Sequence, residues 1–240
     1  MNYPIDIWFY CWCGTERNSV PLSRISTYIS NKFFKLTDSG LYNKISKVYI
    51  YLSGVKESQE FYFDELKLIY NKIEFIKDPN PAIGNECDIL NKMHDTYLDL
   101  DNNHKICYFH TKGFSYNPLP APIANWIRYS DLHIINHWVE RLQELENNDV
   151  SGGWLFKPDE ETRKFGEPDN RKTFAGHFWW ANSSYLKTLE PLTKEIQKGR
   201  GEFWLLDNPS VKIYEIDTKL YGFDLHREVR CDESLFSKGW

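Results

Sequence analysis

The sequence has no basic stripe, no membrane-length apolar run and no cysteine framework, and each absence excludes a class of protein. The formal net charge is −5 with both signs mixed along the chain, so the electrostatic footprint of a nucleic-acid binder is missing. No apolar run approaches the roughly 20 residues of a transmembrane helix, and Met1-Asn2-Tyr3-Pro4-Ile5-Asp6 does not have the form of a secretory leader. Five cysteines, an odd number without regular spacing, point to a reducing compartment, and the expected location is cytoplasmic. Cys11 and Cys13 flank Trp12, but no second Cys or His pair stands at zinc-site spacing, so buried thiols are expected. No internal repeat or linker breaks the chain, which leaves one domain over residues 1–240.

What the chain does have is apolar and aromatic material. Hydrophobic residues make up 41% and aromatics 16%, with nine Trp and fifteen Tyr, enough for a large core and for stacking surfaces. Short apolar runs alternate with segments of helical spacing. Strands are expected over 5–13, 47–52, 73–76 and 105–110, and helices over 21–36 and 85–98. A helical or irregular segment runs through Leu66 and Leu68. This alternation predicts an α/β domain with a mostly parallel, doubly wound central sheet flanked by helices. Downstream, one long helix is expected from about Ile123 to Leu145, strands over 150–156 and 211–216, and helical turns over 183–189 and 194–198. Residues 158–172 are charged and rich in turn formers, which predicts a loop.

The most informative peptide is Lys105-Ile106-Cys107-Tyr108-Phe109-His110-Thr111-Lys112-Gly113. A strand-like run ends abruptly in polar groups, and open α/β sheets bind ligands just beyond such strand ends. His110 and Lys112 share a face by alternation, and Lys112 offers a fixed charge with three donors, which suits a phosphate. Tyr10, Trp12 and Thr15 at the end of the first strand are placed to contact a nucleotide base, with Arg17 as a phosphate or ribose contact. Glu86 and Asn91 face the same edge if their helix packs there. A strand ending in polar residues at a surface turn is the competing account. The run Gly176-His177-Phe178-Trp179-Trp180 reads either as a buried aromatic cluster or as the wall of a pocket, with Gly176 allowing close backbone approach. Asp99-Leu100-Asp101 has a metal-motif pattern but ends a helix beside Asn102-Asn103, so solvated acids are expected. His133 and His137 have the i, i+4 spacing of helical zinc ligands, but Ile134 stands where the hydrolytic motif has Glu.

His-Thr-Lys-Gly at 110–113 followed by Ala175-Gly176-His177-Phe178-Trp179-Trp180-Ala181 resembles a group of microbial and viral sugar transferases of the GT-A type. Asp38-Ser39-Gly40-Leu41-Tyr42, Asn125-Trp126-Ile127-Arg128 and Gly201-Glu202-Phe203-Trp204 add to the resemblance, which spans residues 38 to 204. It implies a nucleotide-sugar-binding half (1–116) and an acceptor-binding half (117–240) within one domain. It also implies sugar transfer from a nucleotide-diphosphate donor to a hydroxyl of a glycan or lipid-linked acceptor, as in polysaccharide biosynthesis. On that reading Tyr10, Thr15, Arg17, Glu86, His110, Thr111, Lys112 and Gly113 hold the donor, and Trp154, Gly176, His177, Phe178, Trp179 and Trp180 the acceptor.

Many such enzymes carry an Asp-x-Asp metal motif where this chain has His110-Thr111-Lys112. Transfer with Mn or Mg, His110 serving as a ligand, and metal-independent transfer on the Lys112 charge both stay open. An inverting transfer needs a carboxylate within reach of the attacking hydroxyl. Glu202, between Gly201 and Phe203-Trp204, is the first candidate and Asp207 the reserve; a helix-initiating Glu beside a turn explains Glu202 equally well. A retaining transferase of the same fold and a non-catalytic carbohydrate-binding protein are the alternatives.

Overall fold

The computed structural model describes residues 3–15, 19–78, 86–114, 116–156, 172–192 and 200–216. Arg17, the expected loop over 158–172 save Lys172, the turn expected over 194–198 and the last two dozen residues lie outside them. Four parallel strands, β1 (Ile5–Trp12), β2 (Ile45–Ser53), β3 (Ile73–Lys77) and β4 (Lys105–His110), form one half of a seven-stranded sheet. The other half holds β5 (Val150–Gly153), β8 (Trp179–Asn182) and β9 (Ile213–Ile216). The order is β3-β2-β1-β4-β8-β5-β9, with β8 antiparallel to both neighbours. The short strands β6 (Leu155–Phe156) and β7 (Thr173–Phe174) form a separate pair. This is the mixed α/β architecture, a mostly parallel central sheet flanked by helices, that the strand–helix alternation predicted.

Alternation along β1 explains how both faces are covered. Ile5, Ile7, Phe9 and Cys11 point into a core with Ile25, Ile29, Phe33 and Leu36 of α1 (Leu22–Asp38), Leu41 of α2 (Leu41–Lys44), and Phe63 and Leu66 of α3 (Glu57–Ile69). Trp8 and Tyr10 point the other way, into a core with Cys87, Leu90, Met93 and Tyr97 of α4 (Glu86–Leu98). The one acid on that face, Asp6, accepts hydrogen bonds from the Tyr97 hydroxyl (2.8 Å) and the His104 ring (2.7 Å). On β4, Ile106 and Tyr108 share the α4 face, while Cys107 and Phe109 face α1. His110 therefore points toward the start of α4.

The topology sets where a ligand would be met. From β1 the chain winds outward to β2 and β3, then crosses back to β4 on the other side of β1. The connections diverge at the carboxyl ends of β1 and β4, and such a switch point opens a crevice. Thr111 ties the two strand ends together there: its Oγ1 accepts the Trp12 amide (3.0 Å), and its own amide donates to the Tyr10 carbonyl (3.0 Å). Thr111→Val keeps the shape and removes the acceptor, so a loss of about 1 kcal/mol is expected in denaturant unfolding. An unchanged midpoint would show that this hydrogen bond carries no net stability.

Two expected elements come out differently. The single helix expected over 123–145 is α5 (Ala121–Asp131), a π-helical turn (Leu132–Asn136) and α6 (Trp138–Glu144). The His137 amide bonds Leu132 O, five residues back, at 3.1 Å. This wider turn rotates His137 out of the i+4 position, so it pairs with Glu140 (3.2 Å) while His133 packs on Trp154. The strand expected over 150–156 is broken at Trp154, whose φ of 53° diverts the chain from the main sheet into β6. Among the described residues no helix is long and apolar enough to cross a membrane.

Candidate functional site

Around the carboxyl ends of β1 and β4 lie His110, Lys112, Glu86, Tyr108, His177 and Trp126. Glu86 opens α4, so its carboxylate meets the helix N-terminus. Its Oε1 accepts from the Tyr108 hydroxyl and from His177 Nδ1, the latter at 2.7 Å. Burial opposes the charged form of Glu86. The His177 charge and hydrogen bond, then His110 and Tyr108, outweigh it and hold the carboxyl well below the usual range.

His110 donates Nε2–H to the carbonyl of Gly176 at 2.8 Å, since a carbonyl can only accept. Burial pushes this imidazole down to about 4, so the ring is neutral near pH 7. The expectation that His110 helps balance a diphosphate does not hold for this arrangement: its donor is already engaged and it carries no charge. Its role is to pin the loop bearing Gly176 and His177 against β4.

Lys112 is the charge of the site. It is 5% exposed, and its Nζ lies 4.4 Å from the centre of the Trp126 ring, in cation–π geometry. Burial pulls the ammonium down to about 8, while Glu202 and Glu86 pull it back up. The group thus stays protonated near neutrality and faces carboxylates of its own chain. Glu202 sits in the short helix Arg200–Trp204, which packs on α4 through Gly201: a Cβ there would lie 3.4 Å from Cys87 Sγ and from Leu90 Cδ1. Asp207, beyond that helix, is exposed.

Several expected contacts are used otherwise. The Thr111 hydroxyl accepts the Trp12 amide, and Gly113 makes the turn at φ 82° while its carbonyl takes a hydrogen bond from Arg24 (2.9 Å). Tyr10 is 5% exposed and offers no ring face for stacking a base. Burial, with Glu86 and Asp78 adding, pushes its phenol far up. Thr15 is half-buried in the loop after β1. Asn91 uses its side-chain amide on Leu192, donating to its carbonyl and accepting its amide, both at 2.7 Å. Asp99 and Asp101 are exposed.

The aromatic run resolves as core. Trp179 stacks on Tyr108 at 4.9 Å, and Trp180 on the opposite face donates to Ile134 O at 2.8 Å; both are fully buried and Phe178 nearly so. These rings are spent on core packing, so the wall expected from Phe178, Trp179 and Trp180 is part of the core instead. The half-buried Trp154 meets Trp126, itself 3% exposed, edge to face at 6.5 Å. Gly176 at φ 83° packs on Trp126, where a Cβ would come within 2.8 Å of the ring. Sequence reasoning assigned no role to Trp126 or Tyr108; the peptide Asn125-Trp126-Ile127-Arg128 was the only signal for the first.

Mn and Mg take several oxygen ligands. Among the described residues no three His, Cys, Asp or Glu side chains converge on one point, and the acids near Lys112, Glu86 and Glu202, already act on its ammonium. A cavity of about 560 Å³ lined by Tyr3, Lys44, Lys105 and Trp138 lies at the other end of the sheet, by the amino ends of β1 and β4.

No family model matches the chain, and no curated protein matches it. Among solved structures, HddC from Yersinia pseudotuberculosis is similar at 9% identity and a TM-score of 0.47, over 88% of this chain and 89% of that one. The same protein complexed with GMP-PN gives 10% and 0.43, over 88% and 90%. A 4-diphosphocytidyl-2C-methyl-D-erythritol synthase gives 9% and 0.43, over 90% and 89%.

Proposed function

We propose that this protein transfers a sugar from a nucleotide-diphosphate donor to a hydroxyl of a glycan or lipid-linked acceptor, with inversion at the sugar carbon. The observation that carries the reading is the Lys112 ammonium at the β1–β4 switch point, held over the Trp126 ring and under the charge of Glu202 and Glu86. A leaving diphosphate needs a preorganised positive charge in a site that excludes water. Lys112 supplies it on a strand end fixed by Thr111. Residues 1–116 contribute Lys112 to the donor side, with His110 and Glu86 holding the Gly176–His177 loop beside it, and residues 117–240 contribute Trp126, Trp154 and Gly176 to the acceptor side.

The donor interaction is expected to depend on pH through Lys112. A diphosphate binds the ammonium, and the ammonium is lost as pH rises through about 8. Affinity for nucleoside diphosphates should therefore be full below that pH and weaken above it. Calorimetric titration of a panel of nucleoside diphosphates, from neutrality to well above pH 8, checks this. Affinity that stays flat across that window removes Lys112 from the donor site.

A further inference from the structure

We infer that His177, oriented by Glu86, is the proton acceptor for the attacking hydroxyl. The inference rests on the transferase reading and replaces the carboxylate base expected from the sequence. Four observations support it.

His177 Nδ1 lies 2.7 Å from Glu86 Oε1. Glu86 accepts there, so a hydrogen sits on Nδ1, and in the neutral form of the ring the lone pair is on Nε2. That Nε2 is buried and, among the described residues, has no hydrogen-bond partner, in a residue only 2% exposed. A buried polar atom without a partner is rare and calls for an explanation; a substrate hydroxyl is one that also fits the location. The backbone of His177 is held at φ 56°, a conformation that L residues adopt at a cost and that clusters at functional sites. The loop is fixed there by the His110 bond to Gly176 and by the packing of Gly176 on Trp126. Finally, Glu202 is the carboxylate that acts most strongly on Lys112, which suits a counter-charge better than a base.

The hydroxyl oxygen forms its bond to the sugar carbon while the bond from that carbon to the phosphate oxygen breaks, and the diphosphate leaves with the electron pair. The hydroxyl proton passes to His177 Nε2. The imidazolium so formed is stabilised by Glu86, which stays ionised and acts as a positioning residue, as the carboxylate does in a Ser-His-Asp triad.

The test uses the full-length protein, with turnover read as nucleoside diphosphate released from a panel of nucleotide sugars. His177→Gln should slow turnover about 100-fold or more with nucleoside diphosphate affinity retained. Glu202→Gln should cost less than His177→Gln. On wild-type protein, which avoids any folding defect of a variant, nitrogen-15 NMR should show the His177 ring with Nδ1 protonated and Nε2 bare, and Glu86→Gln should disturb that tautomer. Retained diphosphate affinity with wild-type turnover in His177→Gln, or a neutral ring protonated on Nε2, overturns the base assignment alone. A wild-type protein that binds no nucleoside diphosphate overturns the transferase reading, and the base assignment falls with it.

Discussion

Replacing Lys112 with Ala should weaken nucleoside diphosphate binding by about 100-fold or more at neutral pH. Charge-assisted hydrogen bonds to a phosphate are each worth about 1.5–3 kcal/mol, and about 1.4 kcal/mol is tenfold in affinity. The loss has a second component. Glu202 and Glu86 both act on the Lys112 charge, so its removal leaves two uncompensated carboxylates near an incoming anion, and repulsion adds to the missing attraction. The truncated stem also uncovers the face of Trp126. Calorimetry of Lys112→Ala against wild type reads the effect directly, and an unchanged dissociation constant would show that the phosphates bind elsewhere.

The largest effect on stability is expected from Gly54→Ala. Gly54 closes β2 at φ 74°, and a Cβ there would stand 1.8 Å from the carbonyl oxygen of Gly14 and 2.9 Å from its carbonyl carbon. Neither backbone can move freely. The Cys13 amide bonds the Ser53 carbonyl at 2.7 Å, and Gly14 bridges to Ser19. A steric conflict between two main chains, added to the cost of a left-handed L residue, should remove at least about 4 kcal/mol, the range reserved for severe lesions. That is a large share of a typical stability of about 5–15 kcal/mol. Gly40→Ala is the control. It has a similar φ of 75° but no atom within 4 Å of the added Cβ, so only the conformational cost of about 1–2 kcal/mol should appear. Denaturant midpoints of the two variants separate them. Equal losses would mean that the close approach of β1 and β2 at the crevice is not as described.

Much of the parallel half of the sheet is legible in the sequence because its signals are local. Ile5–Trp12 and Lys105–His110 read as buried strands because apolar residues fill both faces, and Gly113 marks the stop. The position of Lys112 at a strand end follows from the same pattern. What the sequence hides is set by distant partners. Trp179 and Trp180 look like a pocket wall until β8 is seen to insert antiparallel between β4 and β5, which buries both faces. Glu86 and His177 are 91 residues apart, and no periodicity links them. The π turn at Leu132–Asn136 depends on a backbone bond pattern to which side-chain spacing gives no clue. His110 shows the same limit in its chemistry: the residue type suggests a phosphate donor, and only the carbonyl of Gly176 shows that its donor is already engaged.

The most direct measurement is the location of a bound nucleoside diphosphate, by crystallography of the complex or by chemical-shift mapping on labelled protein. The account predicts phosphate oxygens beside Lys112 at the end of β4, with the resonances of His177 and Trp126 shifting on binding. Diphosphate seated instead in the cavity of Tyr3, Lys44, Lys105 and Trp138 at the opposite end of the sheet, with Lys112 undisturbed, would contradict it.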